Sequence, residues 1–181
     1  MYGKTYTDYD LCSKCKGECC KQMAGAYHPK DIENLSEQTV LELLLKGYHA
    51  IDWYEGDPRI DLLKWDNTIP ENALSTVYYL RARHVGKKAI EGAHRGNVCV
   101  NYTKSKGCSL SEEQRPLECR SLIPKMVHGE PVCYSKKQDK GDKRSIAIAW
   151  IKYQSILIGA MNAYRETIKS KKWKSSTQQP M

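Results

Sequence analysis

The sequence predicts an α+β fold, mainly α-helical with a few short strands, organised as one small domain around its cysteines. Two segments carry apolar residues at the helical period, and a shorter segment between them is rich in Thr, Val and Tyr. A chain of 181 residues suits a single domain and can bury a core without disulfide bonds. We therefore expect one domain over residues 1–170 and a basic, flexible tail over residues 171–181.

The two helical segments differ in length. Ser36 can cap the first helix, which has an apolar side of Val40 and the leucines that follow and ends near Gly47. The second helix is predicted over residues 144–169, where a broad apolar face indicates burial in a core. Lys152 interrupts its most apolar part, as do Gln154 and Asn162, so we expect no membrane span.

The chain between these helices divides into parts of different composition. Residues 50–72 are rich in Asp, Gly, Pro and Asn, which predicts a loop. Residues 76–83, with the sequence TVYYLRAR, predict a strand. Residues 136–143 are charged and predict a linker before the last helix.

Four cysteines lie close together near the N-terminus. They are Cys12, Cys15, Cys19 and Cys20, with the spacing C-x2-C-x3-C-C. Their neighbours are Lys, Gly, Glu and Ser, which are not typical of a buried strand or helix. The N-terminus also lacks the apolar region of a secretory signal, so we expect a cytoplasmic protein, in which stable disulfides are rare. The spacing therefore predicts metal ligands, because a C-x2-C turn lets two sulfurs converge on one ion.

Four further cysteines form a second group. They are Cys99, Cys108, Cys119 and Cys133. Gly107 allows the chain to turn tightly just before Cys108. Arg115 and Arg120 flank Cys119, and we consider two roles for them. They either offset the negative charge of a thiolate-bound metal or are solvated surface charges.

The two groups together resemble a known family. The residues that carry the likeness are Cys12, Cys15, Cys19, Cys20, Cys99, Cys108, Arg115, Pro116, Cys119, Arg120 and Pro124. With the sequences KGCSL and RPLECR in this order, the chain resembles the YkgJ-like cysteine-cluster proteins over roughly residues 8–124. The resemblance implies a zinc- or iron-chelating domain and no particular reaction. Cys133 lies beyond the shared pattern.

The expected cofactor is an iron–sulfur cluster, of the 4Fe–4S type, or zinc, because soft thiolates select these over hard cations. The cysteines could fill two four-sulfur sites, or one cluster and a second, looser site. Adjacent side chains point apart, so Cys19 and Cys20 are expected to have different roles. Three functions stay open: an iron–sulfur protein in redox or cofactor handling, which we favour, a zinc-stabilised structural module, and a metal-dependent enzyme.

The charge of the chain adds little to this choice. The formal net charge is +8, but thiolates bound to metal would offset about half of it. We therefore expect no nucleic-acid partner, and the sequence indicates no particular protein partner.

Overall fold

The computed structural model describes residues 14–60, 72–92, 96–135 and 142–176. These residues form an α+β domain, which confirms the predicted fold class. The helices are α1 Glu18–Gln22, α2 Glu37–Leu45, α3 Leu117–Arg120, α4 Lys143–Trp150 and α5 Gln154–Ser176. The strands are β1 His49–Glu55, β2 Thr76–Ala82, β3 Tyr102–Thr103, β4 Gly107–Cys108, β5 Leu122–Val127 and β6 Glu130–Ser135. They pair in sequence order as antiparallel two-stranded sheets.

Helix α2 begins where the sequence predicted. The side chain of Ser36 accepts a hydrogen bond from the Thr39 amide at 3.1 Å, which satisfies one amide that has no partner within the helix. Val40 and Leu44 point into the core and are fully buried. This apolar face packs against α5.

The predicted long helix is present, with one interruption. Helix α4 is followed by a 3-10 turn, Ile151–Tyr153, and then by α5. The Gln154 side chain at the beginning of α5 bonds both the amide and the carbonyl of Tyr78, each at 2.9 Å. Helix α5 continues through Ser176, into the segment that we expected to be a tail. Among the described helices, none combines the length and the apolar character that a bilayer span requires.

Strand β1 shows that the loop predicted over residues 50–72 was wrong at its beginning. It pairs along its whole length with β2, which is the predicted strand. Asp52 favoured the loop, but its buried carboxylate accepts a hydrogen bond from the Tyr79 hydroxyl at 2.6 Å and one from Arg81 at 3.2 Å. A paired acid can therefore lie inside a strand. Residues 61–71 of the predicted loop lie outside the described ranges.

The chain after α1 is fixed along β2. The Tyr27 amide donates to the Leu80 carbonyl at 2.8 Å, and the Ala82 amide donates to the Gly25 carbonyl at 2.9 Å. From α4, the indole N–H of Trp150 donates to the Tyr27 carbonyl at 2.7 Å. These bonds hold residues 24–27 against the core, next to the cysteines of α1.

The β5–β6 hairpin was not predicted. Its turn consists of His128 and Gly129, which have φ values of 51° and 84°, as two-residue hairpin turns require. Cys133 lies opposite Pro124 in this hairpin. The backbone of β6, the strand that contains Cys133, lies next to α1.

Candidate metal centre

Five cysteines from four separate segments lie together beside β2. They are Cys19 and Cys20 of α1, Cys99, Cys108 of β4, and Cys119 of α3. The thiol of Cys20 forms hydrogen bonds with Cys108, Cys19 and Cys99. Cys119 is near enough to these thiols to interact electrostatically with Cys19, Cys99 and Cys108. Cys20 and Cys99 are 5% and 4% exposed, so the centre of the group is closed to water.

The other predicted ligands have different positions. Cys15 is buried, and its Sγ accepts a hydrogen bond from the Glu18 amide at 3.4 Å. Cys133 is in β6, and Cys12 lies outside the described residues. No disulfide joins the six cysteines whose side chains are described.

Main-chain bonds fix Cys99 beside α1. Its amide donates to the carbonyl of Cys20 at 2.8 Å. Cys99 also lies opposite His84 in an antiparallel bridge. The flanking bonds join Val85 to Val98 at 2.8 Å and Val100 to Arg83 at 2.9 Å, a pattern in which the two paired side chains are close together.

Gly25 and Glu118 position Cys119. A Cβ atom at Gly25 would overlap the Sγ of Cys119, so the absence of a side chain there creates the space for the sulfur. Residues Ala26 and Glu118 are joined twice. The Ala26 amide donates to the Glu118 carboxylate at 2.7 Å, and the Glu118 amide donates to the Ala26 carbonyl at 3.3 Å. Burial raises the pKa of Glu118 to about 7.

Asp31 anchors the other end of α3. Its Oδ2 accepts hydrogen bonds from the amides of His28 and Leu117, each at 2.9 Å. Its second oxygen forms an ion pair with Arg120. Arg120 is therefore held by a carboxylate, a role that neither of the two sequence-based alternatives described. Arg115 does influence a cysteine, because its charge helps to lower the pKa of Cys108.

Two glycines bring the first cysteine segment against the β3–β4 hairpin. A Cβ atom at Gly17 would lie 2.7 Å from the Cα of Gly107, which is closer than nonbonded carbon atoms approach. Both residues have φ of 80°, a left-handed conformation that favours glycine. The turn at Gly107 was predicted, but its contact with Gly17 was not, since it joins distant parts of the chain.

The thiols of the group differ in acidity. Hydrogen bonds with Cys108, Cys19 and Cys99 raise the pKa of Cys20. The bond with Cys20 is the main reason why the pKa of Cys108 is lowered to about 6, and it also lowers the pKa of Cys99. The amides of Leu110 and Asn101 support these shifts by bonding the sulfurs of Cys108 and Cys99. Burial raises the pKa of Cys119.

A buried histidine lies beneath the group. The Nε2 of His84 accepts a hydrogen bond from the Ala24 amide at 3.1 Å, so the neutral ring carries its proton on Nδ1. Within the described residues, Nδ1 has no hydrogen-bond partner. Burial lowers the pKa of His84 to about 4, which keeps the ring neutral at pH 7.

The donor set is suited to a soft metal. In the described part of the chain, no three His, Cys, Asp or Glu side chains are arranged around one point as the ligands of an ion. The sulfurs instead contact one another through Cys20. Free thiols, two of which accept amide hydrogen bonds and have lowered pKa values, are the ligand type that zinc and iron–sulfur clusters use.

No protein-family model, no curated protein and no solved structure matches this chain. The resemblance to the YkgJ-like proteins therefore stays a prediction, based on the cysteines and on the sequences KGCSL and RPLECR.

Proposed function

We propose that the protein binds an iron–sulfur cluster through the cysteines of α1, α3 and β4 together with Cys99. The observation that supports this proposal best is the contact of Cys20 with three other thiols, two of them from distant segments. Cysteines that pack only as small apolar residues have no reason to meet in one place, far apart as they are in the sequence. Ligands of one metal centre must meet.

The thiols of the group are numerous enough for a cluster as well as for zinc. A structural zinc ion and a 4Fe–4S cluster each take four cysteine ligands, and five thiols lie together with Cys15 on the adjoining turn. Amide N–H groups that bond the sulfurs of Cys99 and Cys108 stabilise thiolates and tune cluster potentials. A cluster bound here would supply one-electron redox chemistry.

The residues of this chain would then bind and shield the cluster. Cys20 and Cys119, whose pKa values are raised, would release their protons when metal binds. Gly25 would leave room for the sulfur of Cys119. Free thiols need a reducing environment, so we propose a cytoplasmic location for this activity.

Metal analysis of anaerobically prepared protein tests the proposal. The full chain is supplied with iron and sulfide, desalted, and analysed for iron, sulfide and zinc. We expect stoichiometric iron and sulfide and an absorption band near 400 nm, roughly where thiolate–iron charge transfer falls. Cys20→Ser should lose most of the iron, because it removes the thiol that contacts three others.

Val40→Ala is the matched control for this variant. Val40 is fully buried, on the face of α2 that packs against α5. The Val40→Ala substitution should lower the free energy of unfolding by about 2 kcal/mol without changing the iron content. Zinc bound in place of iron would contradict the cluster and support the zinc-stabilised module instead. Retention of neither metal would contradict the proposal altogether.

A further inference from the structure

The two loops that meet at Gly17 and Gly107 carry an unusual concentration of positive charge. They hold five lysines: Lys14, Lys16, Lys21, Lys104 and Lys106. We call these five residues the lysine rim. The one acidic residue within residues 14–21 and 102–108 is Glu18, which pairs with Lys21. The rim therefore carries a net charge of about +4 on two short, adjoining loops.

The lysine rim lies in the same segments of the chain as three of the cysteines. Lys16 precedes Gly17 and Lys106 precedes Gly107, and a Cβ atom at Gly107 would lie 2.9 Å from the carbonyl carbon of Lys16. The two lysines are thus neighbours in space. Lys21 extends across the same face, with its ammonium group 5.9 Å from the centre of the Tyr102 ring. The same two segments also carry Cys15, Cys19 and Cys108, so the charge adjoins the cysteine group along the chain.

The exposure and conformation of the lysines indicate that their charge is available to bind a partner. Lys14, Lys16, Lys104 and Lys106 are all exposed, and none of them has a salt bridge with a described residue. Lys16 has a φ of 53°, in the left-handed region where glycine or asparagine is preferred and a lysine is strained. Glycine would fit this turn better but would supply no charge.

We propose that the lysine rim is the docking surface for an acidic protein partner of the metal centre. Rings of complementary charge steer weak, transient partners to a surface and orient them there. The proposal rests on the proposed function only in treating the neighbouring cysteines as a metal centre. The charge and exposure of the rim do not depend on whether metal is bound.

Two features favour an acidic protein over a nucleic acid. The two loops contain lysine but no arginine in their described residues, whereas arginine is the residue that binds phosphates and bases in a bidentate manner. The two loops offer a single aromatic ring, that of Tyr102, among their described residues, and the Lys21 ammonium group lies 5.9 Å from its centre, whereas single-stranded nucleic acids bind to surfaces with several aromatic rings for successive bases. Lysine point charges with an intervening glutamate are suited to the carboxylates of a protein.

A binding assay with two polyanions tests the proposal on the full chain. Poly-L-glutamate is the probe for an acidic protein, and an oligothymidylate of equal charge is the probe for nucleic acid. We expect poly-L-glutamate to bind more tightly, with an affinity that falls as salt is raised from about 0.02 to 0.2 M. The variant Lys104→Glu with Lys106→Glu should lower this affinity by about tenfold or more.

Two further variants control for charge and folding. Lys46→Glu with Lys169→Glu changes the net charge equally at exposed positions on α2 and α5 and should change the affinity less than about twofold. Lys16→Gly removes one charge and relieves the left-handed conformation. It should weaken binding while the melting temperature stays equal or rises, which separates loss of the surface from loss of the fold.

The outcomes distinguish this proposal from the previous one because metal content is measured in the same samples. Lysine-dependent binding by protein that holds no metal would support the docking surface and contradict the cluster. Protein that holds a cluster but binds poly-L-glutamate equally with and without the rim lysines would overturn the docking surface and leave the cluster standing. Tighter binding of oligothymidylate through the same lysines would also overturn it, in favour of nucleic acid.

Discussion

Replacing Gly25 by alanine should disable the proposed metal centre while leaving the core folded. The backbone of Gly25 is not in the left-handed region, so alanine introduces no conformational strain there. Its Cβ atom would, however, overlap the sulfur of Cys119 and lie 3.4 Å from the Cys119 amide nitrogen. Either the sulfur rotates out of the group or α3 moves away. Overpacking of this kind costs about 1–3 kcal/mol, and disturbing a residue that supports a ligand should lower metal affinity by about 10- to 100-fold.

Gly159→Ala provides a matched control. A Cβ atom at Gly159, in α5, would also overlap a side chain, the carboxylate of Glu37. Glu37 is exposed, so its carboxylate can rotate into water. Alanine in place of glycine within a helix is then worth about 0.5–1 kcal/mol of added stability. We expect Gly159→Ala to be neutral or stabilising and to leave the metal content unchanged.

A double-mutant cycle with Cys119→Ala isolates the contact. Free energies of unfolding are measured by urea titration of the metal-free proteins, and metal affinity is measured by competition with a chelator. If the overlap with the sulfur is the cause, Gly25→Ala should cost about 1–3 kcal/mol less when Cys119 is already alanine. An equal cost in the two backgrounds would refute the explanation, as would a Gly25→Ala protein that retains its metal normally.

Three further predictions concern the turn, the buried histidine and the thiols. Gly107→Ala places a Cβ atom 2.8 Å from the Gly17 nitrogen at a φ of 80°. It should lower the free energy of unfolding, measured in urea, by about 2–3 kcal/mol. The control Gly86→Ala has a similar φ but open space around the new atom, and it should cost about 1 kcal/mol. The folded-state pKa of His84 is lowered to about 4. Between about pH 6.5 and 4 the unfolded chain therefore binds a proton that the folded protein does not. The free energy of unfolding of the wild type should fall as pH falls through that window, by at most about 3 kcal/mol. His84→Gln keeps an acceptor for the Ala24 amide and should flatten the dependence of stability on pH. Equal pH dependence in the wild type and the variant would contradict the assignment of this effect to His84. In metal-free protein at pH 7, iodoacetamide should modify Cys108 first, because the pKa of this thiol is about 6. Peptide mapping that finds Cys119 modified before Cys108 would contradict the predicted order.

Local signals explain which parts of the fold could be predicted. The Ser36 cap and the apolar faces of α2 and α4 follow from neighbouring residues in the sequence, and the structure has them. Strand β1 was missed because Asp52 is unfavourable in an isolated strand. Its carboxylate is bonded by Tyr79 and Arg81 of β2, partners that a local pattern does not reveal.

The candidate site shows the same division. The cysteine spacing indicated that the thiols would meet, and five of the six whose side chains are described do so. Gly25 and Asp31 were not recognised, since each acts on a residue of α3 far along the chain. Glu118 could have been recognised from the sequence as a candidate site residue, because it lies inside the RPLECR sequence. Its bond with the Ala26 amide explains why an acid is useful there.

The small size of the elements around the cysteines explains why a metal would matter to the fold. Strands β3 and β4 have two residues each, and α3 has four, too few to be stable by backbone bonding alone. They are held by side chains such as Asp31 and Glu118 and by contacts between thiols. A metal that joins α1 to Cys99 would close a loop of about 80 residues and remove much freedom from the unfolded chain. The core of β1, β2 and α4 has its own apolar packing, so the stabilisation by metal should be concentrated in residues 96–120.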